Sequence, residues 1–123
     1  MQTLLLDQTT WDLVLDASGN IAVASEPYAL AQDAASAIRT FLGEVWYDTS
    51  LGVPYFPSAP NGSAILGQIP PVSMMKAAFV KAAMTVPDVI AAQVFLVGVG
   101  TNRQLTGQVQ VTNVNGVISA IGF

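Results

Sequence analysis

The sequence predicts a single α+β domain spanning residues 1–123, with an N-terminal β-hairpin and two main helices packed on a C-terminal antiparallel sheet of about three strands. Three observations predict it. Apolar residues recur every three or four positions in two stretches, 28–42 and 71–86. Apolar and polar residues alternate elsewhere, most clearly over 105–112. Gly- and Asn-containing turn segments separate the alternating runs.

The elements follow in order. Trp11, Leu13 and Leu15 alternate with Asp12, Val14 and Asp16, as in a half-buried strand. Ala17-Ser18-Gly19-Asn20 is turn chemistry, and Ile21 and Val23 start the return, which predicts a hairpin over about 10–24. Ser25-Glu26-Pro27 is a helix-start signal with Ser25 as the capping side chain. Leu30, Ala34, Ala37, Ile38 and Phe41 form the apolar stripe of a helix over about 28–42, with Gln32, Asp33, Ser36, Arg39 and Thr40 on its other faces. Gly43 suits the position after that helix.

An aromatic-rich segment follows, and residues 57–63 then read as a loop, with one turn of helix at Ile65-Leu66-Gly67. Pro70-Pro71 opens a second helix whose stripe is Val72, Met75, Phe79, Ala83 and Val86, and Pro87 closes it. Strands are expected at 89–99, 105–114 and 117–121. Leu105, Gly107, Val109 and Val111 share one face of the middle strand, and Thr106, Gln108, Gln110 and Thr112 share the other. Asn115-Gly116 supplies the turn after it.

Charge is scarce. Asp, Glu, Lys and Arg make up 10% of the chain and hydrophobic residues 52%, against roughly 25% charged in an average soluble domain. A surface so poor in charge fits either a neutral coat of Gln, Asn, Ser and Thr or burial against other subunits. Residues 1–61 carry seven acids and the single base Arg39; residues 62–123 carry Asp88 against Lys76, Lys81 and Arg103. An acidic half and no basic footprint argue against nucleic-acid binding. No run of about 18 apolar residues exists, so no membrane-spanning helix is expected. The N-terminus lacks a basic, signal-like region, so synthesis and use or assembly in a cytoplasm are expected.

With neither cysteine nor histidine, the chain has no thiol nucleophile, histidine base or common zinc site. No phosphate-binding glycine motif or calcium loop is present, and no cofactor, metal or small-molecule substrate is expected. Glu44 and Asp48, four residues apart beside Trp46, are the nearest thing to a hydrolase carboxylate pair, with Glu26 or Asp33 as further members. A carboxylate beside an aromatic residue in a turn is more often a cap or hydrogen-bond anchor, so no catalytic residue is assigned.

Residues 40–56 hold five of the chain's ten aromatic residues. From Ala37 through Gly43-Glu44-Val45-Trp46-Tyr47-Asp48 to Leu51-Gly52-Val53-Pro54-Tyr55, the chain resembles the baseplate wedge and tail-sheath initiator family of contractile, myovirus-type phage tails, some of which were once labelled lysozyme-like. The hairpin before the helix and the Pro87-Asp88-Val89-Ile90 step before the sheet fit the same pattern, so the resemblance covers about residues 10–121. Many members follow Gly-Glu with Arg; here Val45 stands in that place, which leaves Arg39 as the candidate partner of Glu44.

The resemblance implies a structural virion protein, present in six copies in the tail baseplate and held by wedge and hub proteins. It further implies that the C-terminal sheet templates the first ring of tail sheath protein by strand addition. The implied motif is Arg39, Gly43, Glu44, Trp46, Tyr47, Gly52, Pro54 and Tyr55, a corner expected to pack into the core or to contact a wedge protein. The implied docking strands carry Val94, Leu96, Leu105, Val109 and Val111. Another tail adaptor, such as a terminator or hub adaptor, and a cell-wall hydrolase using Glu44 or Glu26 are the alternatives.

Overall fold

A computed structural model of the chain describes residues 2–56, 65–67, 70–99 and 101–123. Its elements are β1 (Gln2–Leu4), β2 (Val23–Ser25), α1 (Tyr28–Arg39), α2 (Val72–Ala83), β3 (Val89–Val99), β4 (Leu105–Asn113) and β5 (Ile118–Gly122). The architecture is α+β, as the sequence predicts. The expected loop at 57–63 lies outside the described residues, and 65–67 form a bend and turn rather than helix.

The sheet order is β3-β4-β5, antiparallel throughout, with Val94 opposite Val109 and Val109 opposite Ile121. β4 is therefore the central strand. Its alternation puts Gly107, Val109, Val111 and Asn113 on the buried face. α1 packs against β4 and β5, and α2 against β3. Phe79, Leu30, Ile38, Val53, Val109 and Val111 form the centre of the core.

Asp16 and Asn113 close two turns by one device. Asp16 Oδ1 accepts from the N–H groups of Ser18 (2.8 Å) and Asn20 (2.9 Å). Asn113 Oδ1 accepts from Asn115 and Val117, both at 2.9 Å. Gly19 and Gly116, each three residues on, take the left-handed conformation that such a hairpin loop requires.

The N-terminal hairpin is present but displaced from its expected position. Its arms meet at Leu15 and Ile21, whereas the regular ladder joins β1 to β2. The small residues Ala22 and Ala24 face the core, and Leu4, Leu13, Leu15, Ile21 and Val23 face solvent. The alternation was real, but the buried face is the one bearing alanines.

α1 is more deeply enclosed than an amphipathic stripe implies. Ala29, Ala31, Ala34 and Ala35 are buried together with Gln32, because small side chains let neighbouring elements approach on several sides. The helix has no side-chain cap at its start; its N-cap is Pro27, not Ser25. It ends at Arg39, because the backbone at Thr40 turns extended to pair with residue 53. In α2, Val72 in the first turn is exposed while Met75, Phe79 and Ala83 are buried.

Candidate docking surfaces

The aromatic segment forms a closed corner. Phe41 and Val53 make a parallel bridge, in which Leu42 N–H donates to the Val53 carbonyl and Val53 N–H to that of Thr40, both at 2.9 Å. Gly43 (φ 89°) and Gly52 (φ 105°) turn the chain at either end. Tyr55 Oη donates to the carbonyl oxygen of Ile38 at 2.5 Å, pinning the corner to the last turn of α1. Burial pushes the Tyr55 phenol up to about 12, against a smaller opposing pull from Arg39. The Pro54 carbonyl accepts from Ile65 N–H at 3.1 Å.

The tip of the corner is outside the core. Trp46 is 88% exposed and Tyr47 73%, and the two rings meet edge to face with centroids 5.6 Å apart. Core packing of this pair is thereby excluded. Phe41, Tyr55 and Phe56 make the ring cluster at its base, with Phe41 5.2 Å from Tyr55 and 5.0 Å from Phe56. Only Tyr55 continues inward, its ring 6.2 Å from Phe79.

Glu44 is exposed and forms no ion pair with Arg39. The Arg39 guanidinium lies over the ring of Trp11 instead, 4.4 Å from its centroid. Trp11 itself holds φ 56°, left-handed for a bulky residue. Asp48 acts as a turn anchor: its Oδ1 accepts from the N–H (3.0 Å) and hydroxyl (2.5 Å) of Ser50, which hold its carboxyl below the usual carboxylate range. Burial raises the carboxyl of Asp33 on α1 above the usual carboxylate range.

The strand residues divide differently from the expectation. Val94, Val109 and Val111 are buried, and Leu96 and Leu105 pack against the core. Their side chains therefore face the helices. From Gln108 to Thr112 β4 is paired on both sides, so along that stretch of this sheet a strand can be added at the outer edges of β3 and β5. The face turned away from the helices carries Gln93, Phe95 and Val97 of β3, Thr106, Gln108, Gln110 and Thr112 of β4, and Ile118 and Ala120 of β5, with no charged residue. Val97 is 83% exposed.

A family model described as contractile injection system sheath initiator matches residues 2–116 of the chain. The chain belongs to this family. No match was found among curated proteins. Sheath-initiator membership accounts for a sheet with a neutral outer face better than it accounts for paired carboxylates. Trp11, Gln32 and the exposed leucines of the hairpin lie outside the site residues that the sequence predicts. For Gln32 the one available signal was a glutamine set in an alanine-rich helix.

Proposed function

We propose that this sheath initiator is a structural baseplate component of a contractile phage tail, docking to wedge and hub proteins and templating the first tail-sheath ring by β-strand addition. The observation that carries the reading is β3: eleven residues, an outer strand with no partner on one edge among the described residues, and no charged side chain along it. Soluble monomers usually protect such an edge with charge, proline or a covering element. β5 offers an edge of only five residues. Six copies around the tail tube would present six β3 edges to incoming sheath strands.

The opposite requirement, anchorage to wedge and hub, falls to the exposed apolar groups elsewhere. Trp46 and Tyr47 project from the stiff corner, and Leu4, Leu13, Leu15, Ile21 and Val23 line the hairpin. Apolar groups of this size exposed together mark interaction surfaces. The role needs no catalytic residue. Its sites of action are host cytoplasm during assembly and the virion baseplate thereafter.

Co-expression with a tail sheath protein, followed by electron microscopy, tests the reading. Sheath rings should nucleate with the wild-type chain. The double substitution Phe95→Lys, Val97→Lys places charge on the outer side of β3 without touching the core and should abolish nucleation while leaving the melting temperature unchanged. Rings that still form with the doubly substituted protein would move the docking edge away from β3.

A further inference from the structure

β3 lies against β4 on one edge and has no partner on the other among the described residues. From Ala91 to Leu96 it pairs with β4 without interruption, against Thr112 to Gly107, and register shifts bound that run at Val89/Ala91 and Leu96/Gly98. Such irregularities bend a strand and end regular pairing. A strand added at the free edge is therefore confined to the run between them.

The hydrogen-bonding phase of that run follows from β4. Gly107 donates to the Phe123 carbonyl at 3.5 Å and accepts from Phe123 N–H at 3.0 Å. Alternate residues of an antiparallel strand send their peptide groups to the same edge. Gly107, Val109 and Val111 thus turn toward β5, and Gln108, Gln110 and Thr112 toward β3, where their partners are Phe95, Gln93 and Ala91. Ala92, Val94 and Leu96 therefore present their N–H and C=O groups to the free edge. These three residues are symmetric about Val94. When the edge is laid antiparallel against a second copy of itself, Val94 meets Val94, and Ala92 of each copy meets Leu96 of the other. Each of these pairs exchanges two hydrogen bonds. Moving the register by two residues in either direction loses one of the three pairs from the run.

The side chains agree with the same register. On the helix face, the small Ala92 of one copy meets the larger Leu96 of the other. On the opposite face Gln93 meets Phe95, in the closely spaced pairs whose side chains touch. The Phe95 ring, 46% exposed in the single chain, gains cover from the glutamine stem. An antiparallel strand paired with its own copy brings any charge near its centre close to the same charge, and β3 carries none. We propose that in the free protein a second copy of this chain covers the β3 edge, giving a two-fold dimer whose sheet runs continuously in the order β5-β4-β3-β3-β4-β5. The dimer stands on the edge geometry alone. Its consequence for assembly, that the two copies must part before a sheath strand takes the same edge, rests on the sheath-templating reading.

The test uses the isolated full chain. Sedimentation equilibrium should show the mass rising from one chain toward two between about 1 μM and 1 mM, as a small interface gives. Ala92→Pro removes an N–H that faces the free edge and leaves the ladder to β4 intact. It takes one hydrogen bond from each side of the two-fold axis and should weaken association roughly thirtyfold. Cross-linking fixes the register without relying on that variant. The chain has no cysteine, so Gln93→Cys and Phe95→Cys each introduce a single thiol. Mixed under mild oxidation, the two variants should form a disulfide-linked dimer, because their Cα atoms would lie about 4.5 Å apart. Neither variant alone should cross-link at a comparable rate, since like positions are diagonal neighbours about 7–8 Å apart. A monomer at about 1 mM, association unaltered by Ala92→Pro, or cross-linking as fast in one variant alone as in the mixture would each overturn the dimer while leaving sheath templating standing. Wild-type protein that dimerises in this register but nucleates no sheath ring would support the dimer and refute the sheath reading.

Discussion

A Cβ atom built on Gly52 would lie 2.7 Å from the carbonyl carbon of Phe41 and 2.8 Å from the Leu42 nitrogen. Both neighbours are backbone, held by the bridge that closes the corner, so neither can swing away. Gly52 also sits at φ 105°, which L side chains rarely adopt. Gly52→Ala should therefore cost at least about 3 kcal/mol, combining backbone strain with a clash. Gly43 has a similar φ of 89° but open space where its Cβ would go, so Gly43→Ala should cost only about 1 kcal/mol. Urea unfolding of the two variants side by side checks the contrast; equal losses would mean the close approach at Gly52 is not real.

Gln32 ties the first strand to the core. It is 2% exposed, its Oε1 accepts from Leu6 N–H at 2.9 Å, and its Nε2 donates to the Leu4 carbonyl at 2.7 Å. One side chain thus satisfies a donor and an acceptor of the incoming chain, as a neighbouring strand would. Gln32→Leu keeps the volume and strands both groups, which should cost about 3 kcal/mol. Gln32→Glu retains the acceptor but sets a carboxylate against the Leu4 carbonyl and should be no better. Hydrogen exchange at Leu6 is the local readout: its protection should fall in Gln32→Leu, which removes its acceptor, and unchanged protection there would refute the role.

Much of this was legible from spacing. The α2 stripe and the inward face of β4 followed from periods near 3.6 and 2, and those elements lie where the pattern put them. The hairpin at 10–24 misled because its larger apolar residues, Leu13 and Leu15, face solvent while alanines face the core; pattern reading assumes that size decides burial. The corner is legible as a corner through the clustering of five aromatic residues over 40–56, outside any long periodic element. The exposure of Trp46 and Tyr47 was not, since aromatic content argues for burial until a fold shows nothing above them. The sequence offers Glu44, five residues on, as the partner of Arg39, whereas its contact is Trp11, brought near only by tertiary folding. Gln32 lies off the apolar stripe of the helix, and its burial is not legible there because an isolated helix has no record of the strand that covers it.

Tyr55 gives the fold an alkaline limit. Its phenol ionises near 12 in the folded protein because burial disfavours the phenolate, against about 10 in an unfolded chain. Between those values the folded state holds a proton that the unfolded state has lost. The contribution is therefore complete below about pH 10 and disappears as pH rises through about 12. Tyr55→Phe should lower stability at neutral pH by about 1 kcal/mol, through loss of the bond to Ile38, and should fall less steeply than wild type above pH 10. Denaturation curves from pH 7 to 12 measure both effects, and parallel slopes for the two proteins would rule out the coupling.

The exposed apolar groups separate stability from assembly. Trp46 projects from the corner with only Tyr47 as an aromatic partner, and Leu15, 67% exposed, lies on the hairpin arm away from the core. Neither supports the core, so Trp46→Ala and Leu15→Ser should each shift stability by less than about 0.5 kcal/mol. If these groups dock against wedge or hub proteins, the same changes should weaken incorporation into baseplates, Trp46→Ala by about 2 kcal/mol or more in the manner of an interface hot spot. Melting curves with co-purification of assembled baseplates distinguish the cases. Lost incorporation at unchanged stability places the side chain in an interface. Normal incorporation by both variants would leave the β3 edge as the surface through which this protein meets its partners.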